Sequence, residues 1–121
     1  MQPMANILVI DDRADLAVTL QMLLQRAGHH VLTAENGRRG LRVFYETRPD
    51  LVVLDVVMPE LDGWQTLERL RDLSDVPVLM FSGTKPEPDQ LERLRPGRDA
   101  FRAKPFFGDE LCDVVDELLA A

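Results

Sequence analysis

Five residues able to do chemistry each come straight after a short apolar run. Asp11 and Asp12 follow Ile7-Leu8-Val9-Ile10, and Asp55 follows Leu51-Val52-Val53-Leu54. Ser82 follows a run from Val76 to Phe81, and Lys104 follows Ala100 to Ala103. Clustered carboxylates repel one another and raise each other's pKa unless a cation neutralises them. A hard divalent ion with oxygen ligands meets that need. Mg²⁺ typically keeps several waters while binding a few carboxylates and a phosphate oxygen. A lysine beside such a group is a counter-charge for an anion, and a serine hydroxyl is a donor to it. Together these residue types describe a phosphoryl-handling site in which one aspartate is the nucleophile, since carboxylates form aspartyl phosphates.

The five residues meet only if the runs before them are neighbouring strands of one sheet. Continuous β-branched runs bounded by turn residues predict strands buried on both faces, here over 7–10, 31–34, 51–54, 76–81 and 100–103. Helical spacing fills the gaps. Leu16, Leu20, Leu23, Leu24 and Ala27 predict a first helix stopped by Gly28. Leu41, Val43, Phe44 and Tyr45 mark a second, ended by Pro49, and Trp64, Leu67, Leu70 and Leu73 a third. Leu111, Val114, Val115, Leu118 and Leu119 mark the last. The fourth is bounded by Pro86, Pro88 and Pro96, which leaves a short helix over 89–95 with Leu91 and Leu94 as its apolar pair. Five βα units with no repeat or linker predict one α/β domain over 1–121, its core at about 6–119. Its parallel sheet carries helices on both faces, joined by right-handed crossovers. In such sheets the ligand site lies outside the carboxyl ends of the strands, where all five residues fall.

In this order and placement, four pieces resemble the receiver (CheY-like) domain of two-component response regulators, from about Asn6 to Leu119. They are Asp11-Asp12, Asp55-Val56-Val57-Met58-Pro59-Glu60-Leu61-Asp62-Gly63, Ser82-Gly83 and Lys104-Pro105-Phe106. The resemblance implies the flavodoxin-like strand order 2-1-3-4-5 known from chemotaxis receivers. It implies that Asp55 accepts a phosphoryl group from a histidine kinase or histidine phosphotransfer protein, giving a labile acyl phosphate. It implies Mg²⁺ as cofactor, held by Asp12, Asp11 (directly or through water), Asp55 and the backbone carbonyl of Val57. Lys104 would pair with the phosphoryl oxygens, in a turn built on a cis bond to Pro105. Ser82 would hydrogen-bond the phosphoryl group and draw its loop inward, and Phe101 would be the switch aromatic that fills the vacated space. The state would then pass to a downstream output protein or domain through the face made by helix 4, strand 5 and helix 5. Such a domain is no enzyme beyond catalysing its own phosphoryl acceptance and loss.

Each residue also has a plainer reading. Asp11-Asp12 is a possible helix N-cap, Asp55 a buried structural carboxylate, Ser82 a turn residue and Phe101 a core aromatic. Pro105 fixes the turn at Lys104 and argues against a freely solvated ammonium. Trp64 reads as packing, His29-His30 as a solvated turn, and Cys112 as an inert buried thiol.

Charge narrows the class further. Fourteen basic against twenty-one acidic residues give a net −7, a surface that repels phosphate backbones and anionic lipid. Direct nucleic-acid binding and membrane association are therefore not expected. One cysteine allows no internal disulfide and suits a reducing compartment. The start, Met1 to Asn6, has no basic region, and the apolar run after it is too short for a signal peptide or a span of about 20 residues. A cytoplasmic protein is expected, either a stand-alone receiver or part of a longer one.

The prolines around helix 4 depart from the family pattern and disturb the usual output surface. Gly83 stands within the family's range, alanine or glycine, and its missing side chain leaves the approach to the phosphoryl group open to water or a phosphatase. The last helix carries Asp109, Glu110, Asp113, Asp116 and Glu117 and no basic residue, with Arg93, Arg95, Arg98 and Arg102 across the groove. Winged-helix regulators of this family dimerise through cross-subunit pairs that need basic residues on helix 5, so that dimer is not expected here. The competing reading is a phosphorylation-independent interaction module on the same fold. An aspartate-nucleophile phosphatase is disfavoured because Val57 stands where a second aspartate is wanted.

Overall fold

The structure is a computed structural model, and it describes residues 4–105 and 108–121. Its elements alternate as expected: β1 (Asn6–Ile10), α1 (Ala14–Arg26), β2 (His30–Ala34), α2 (Gly37–Thr47), β3 (Leu51–Asp55), α3 (Gly63–Leu73), β4 (Val78–Ser82), α4 (Pro88–Leu91), β5 (Ala100–Ala103) and α5 (Asp109–Ala120). All four strand pairings are parallel and the order is β2-β1-β3-β4-β5. The central strands β1, β3 and β4 are the continuously apolar ones and are buried on both faces, apart from exposed Asn6 at the start of β1.

Strand alternation divides the core in two. Ile7, Val9, Leu51, Val53, Leu79 and Phe81 pack against α1 and α5. Leu8, Ile10, Val52, Leu54, Val78 and Met80 pack against α2 and α3, with Phe101 at that layer's edge. Helix ends follow local chemistry. Gly28 takes φ 100° just past α1. Asn36 caps α2 by accepting from Arg39 N at 2.8 Å. Asp62 and Gln65 form a reciprocal capping box on α3.

Four expectations need correction. β4 begins at Val78 rather than Val76, because Pro77 has no N–H to offer a ladder and the Val76 N–H bonds the Ser74 hydroxyl instead. α4 is a single turn ending at Leu91 rather than running to Arg95. Beyond it the bonds Arg93 N to Gln90 O and Leu94 N to Leu91 O tighten to three-residue spacing, and Asp99 captures the Arg95 N–H. His29-His30 is no solvated turn: His29 is buried, its Nδ1 accepting from Ala5 N at 3.3 Å, and His30 opens β2. Cys112 is only partly buried; burial first, then the charges of Asp116, Asp109 and Asp113, raise its thiol pKa and keep it protonated. Among the described residues no helix is long and apolar enough to cross a membrane.

Candidate functional site

Strand register sets the site. Ile10 pairs with Leu54, Asp55 with Phe81 and Ser82 with Ala103, so Asp11, Asp55, Ser82 and Lys104 all emerge at one carboxyl edge. Alternation then sorts them. Asp11, Asp55 and Lys104 share the parity of the α1/α5 layer, while Ser82 and Phe101 share that of the α2/α3 layer.

On the first face, carboxylate oxygens of Asp11, Asp12 and Asp55 lie within 4.8 Å of one another. Asp11 and Asp55 are each 1% exposed and Asp12 is exposed. The Lys104 ammonium lies 3.3 Å from Asp55 Oδ1 and 4.9 Å from the centre of the Phe81 ring, so its charge is held at the acid cluster. Asp11 Oδ1 accepts from Arg13 N at 2.9 Å, and its buried Oδ2 has no partner. Burial foremost, and the adjacent Asp55 charge, raise the Asp11 pKa to about 7 against the pull of the Arg13 N–H and Lys104. The N-cap of α1 is Arg13, with no side-chain cap, so the aspartate pair does not serve as a helix cap.

A buried carboxylate oxygen without a donor, beside two more carboxylates, is the donor set a hard divalent cation requires. The residues fit Mg²⁺. Val57, whose backbone carbonyl was expected as a further ligand, stands exposed on the β3–α3 loop next to this cluster. Gly63 lets that loop close. A Cβ there would collide with the Asp55 carbonyl oxygen and Val56 Cα, and the Gly63 N–H donates to Val56 O at 2.7 Å.

On the second face Ser82 is buried and its Oγ accepts from Thr84 N at 2.9 Å, tying the hydroxyl to the loop that follows. Phe101 is half-buried and stacks on Trp64, rings 6.4 Å apart and 5° from parallel. The pair borders a cavity of about 340 Å³ that also touches Val56, Met58 and Thr84. Lys104-Pro105 is cis, as the resemblance implied, and Phe106 lies outside the described residues.

Sequence reading missed one cluster at the opposite end of the sheet. Buried Asp99 accepts from Val78 N (3.0 Å), Arg95 N (2.9 Å), Arg95 Nε (3.0 Å) and Arg71 Nη2 (2.5 Å). Arg95 was expected to face α5; its guanidinium instead turns inward to this aspartate. The only signal was an aspartate placed directly before the apolar run at Ala100, in Gly97-Arg98-Asp99, which reads equally well as a turn.

Comparison with known proteins agrees with this geometry. The chain is 43% identical over 106 residues to the probable transcriptional regulator ycf27 of Pyropia yezoensis, covering 88% of this chain and 44% of that protein. It thus spans about half the length of the curated relatives it matches. The chemotaxis protein CheY4 of Vibrio cholerae superposes with a TM-score of 0.85 at 28% identity, over 96% of this chain and 99% of that one. The receiver domain of a signal transduction histidine kinase from Syntrophus aciditrophicus gives 0.82 at 33%, over 96% and 90%. The response regulator receiver domain family matches residues 7–116. With five βα units in the order 2-1-3-4-5 and an acid cluster at the carboxyl edge, the chain belongs to the receiver domain family of two-component response regulators.

Proposed function

We propose that this chain is a Mg²⁺-dependent phosphoryl acceptor, Asp55 receiving the group from a phosphohistidine on a histidine kinase or histidine phosphotransfer protein. One observation carries the reading. Asp55 is buried at a strand end, with two further aspartates around it and the Lys104 ammonium 3.3 Å away. An Asp55 carboxylate oxygen attacks phosphorus as the P–N bond breaks, and the leaving imidazole nitrogen keeps the bonding pair and takes a proton from solvent. Asp11, Asp12, Asp55 and the Val57 carbonyl would hold Mg²⁺, which when bound neutralises charge on the transferring group. Lys104 supplies a fixed positive charge to the phosphoryl oxygens.

Ser82 donates its hydroxyl to the phosphoryl group. Because the Thr84 N–H already holds the Ser82 oxygen, the β4–α4 loop follows. Phe101, on the same face as Ser82, then moves into the space released, and the α4/β5/α5 face presents a changed surface to an output protein or domain. We place this activity in the cytoplasm, where histidine kinases deliver phosphoryl groups. In a longer regulator any contact with DNA would be made by the rest of the protein, since this domain carries a net −7.

Intact-mass measurement after incubation with Mg²⁺ and acetyl phosphate tests the reading. The expected result is one added phosphoryl group on the parent and none on Asp55→Asn. Failure both to gain the group and to bind Mg²⁺, in a folded protein, would favour a module that binds its partner without phosphorylation.

A further inference from the structure

The solvent face of the first two turns of α2 is basic in a chain that carries a net −7. Arg38, Arg39 and Arg42 are exposed, and none forms an ion pair among the described residues. They occupy the first two turns of α2, where the helix dipole disfavours cations, and no acidic residue stands in that first turn. Arg38, Arg42 and Tyr45 follow one another at helical spacing along one stripe. Tyr45 is 64% exposed and held in place by the Arg48 guanidinium 5.2 Å from its ring. Arginine and a rigid exposed tyrosine are the residue types that anchor protein interfaces.

The complementary surface lies on the same chain. Asp109, Asp113 and Glu117 form an exposed stripe on α5 at four-residue spacing, where like charges repel. Glu117 stands in the last turn, which has no basic residue, at the helix end that disfavours anions. Arg38 and Arg39 on α2 and Glu117 on α5 thus stand at helix ends whose dipole opposes them, while Asp109 stands in the first turn of α5, which favours it. Within one molecule the two helices cannot meet, because α5 packs with α1 on one side of the sheet and α2 with α3 on the other.

We propose that the α2 face docks α5 of a second copy of this chain, arginine stripe against carboxylate stripe, with Tyr45 at the centre of the contact. Because the two surfaces lie on opposite sides of the sheet, a two-fold dimer cannot close both pairs, and the contact is head to tail. Rim ion pairs are individually weak and screened by salt, so the association belongs to low ionic strength and high protein concentration. It depends on no phosphoryl group and stands apart from the role of Asp55.

Sedimentation of the whole chain tests it. At low salt the weight-average mass is expected to climb with concentration and show no dimer plateau; at about 0.5 M salt, where the Debye length is only a few ångströms, it returns to the monomer. Arg38→Glu/Arg42→Glu and Asp113→Lys/Glu117→Lys should each weaken association roughly tenfold or more. An equimolar mixture of the two variants should regain it, which only folded variants can do. A parent that stays monomeric at low salt, variants that associate like the parent, or a mixture that stays monomeric would each overturn the proposal.

Discussion

Asp11 carries the most informative electrostatics in the molecule. Burial lifts its pKa from 3.8 to about 7, so below 3.8 the folded and unfolded chains hold the same proton. Between those values the folded state binds more protons, and the metal-free protein loses stability as pH rises through about 7. Asp11→Asn keeps an Oδ1 acceptor for Arg13 N and removes the desolvated charge. At about pH 8 without metal the variant is expected to be more stable than the parent, by on the order of 2 kcal/mol. The gap should close towards pH 4, and Mg²⁺ should raise the melting temperature of the parent alone. A variant less stable than the parent at alkaline pH would mean that the Asp11 charge is not strained. A second residue-scale test uses Trp64, the only tryptophan in the chain. Its ring stacks on Phe101, so its fluorescence should change on phosphorylation, and Phe101→Leu should suppress most of that change. An unchanged signal in a protein shown by mass to be phosphorylated would leave Phe101 a core aromatic.

At the scale of elements, the Asp99 cluster decides how the irregular α4 region is held. One carboxylate joins the first residue of β4, the C-terminal turn of α3 through Arg71, and the Arg95 segment before β5. Burial pushes its pKa up most. The Arg95 hydrogen bond, the Arg95 and Val78 N–H groups and the Arg71 charge together outweigh that and hold it below 3.8. Its contribution is therefore present above 3.8 and lost as pH falls through the lower folded value. Asp99→Asn should lower unfolding free energy by about 2–4 kcal/mol near neutral pH, somewhat less than breaking a fully buried pair because Arg71 and Arg95 are partly exposed, and should flatten the acid limb of the stability profile. Urea titrations at several pH values measure both. This cluster also marks where the sequence stopped being legible. Strands and long helices announce themselves by apolar runs and helical spacing, and the site residues by following those runs. The Asp99 carboxylate that captures the Arg95 N–H past the end of α4 is instead fixed by hydrogen bonds from residues twenty or more positions away, Val78 and Arg71. No local pattern encodes those. The same limit hid the difference between buried Asp11 and exposed Asp12, adjacent residues of identical chemistry.

For the whole molecule the distribution of charge governs assembly. A two-fold contact through α5 would set Asp113 and Glu117 against their own copies, and α5 has no basic residue to answer them. Of the four arginines across the groove, Arg102 pairs with Glu110 at 3.8 Å and Arg95 with Asp99 and Asp75, which leaves Arg93 and Arg98, exposed and in no ion pair among the described residues, as the cations that could cross the axis. Phosphorylation adds negative charge to a chain already at −7 and supplies no cation. We therefore predict that the phosphorylated chain forms no two-fold dimer through α5. The head-to-tail contact proposed for α2 has no two-fold axis and fades with salt, so scattering at moderate ionic strength separates the two. A scattering profile fitting a compact dimer, appearing only after treatment with Mg²⁺ and a phosphodonor and lost in Asp55→Asn, would refute the prediction. A monomer in both states would mean that the switched surface is read by a different protein, one whose contact face must carry the positive charge that this domain's α5 lacks.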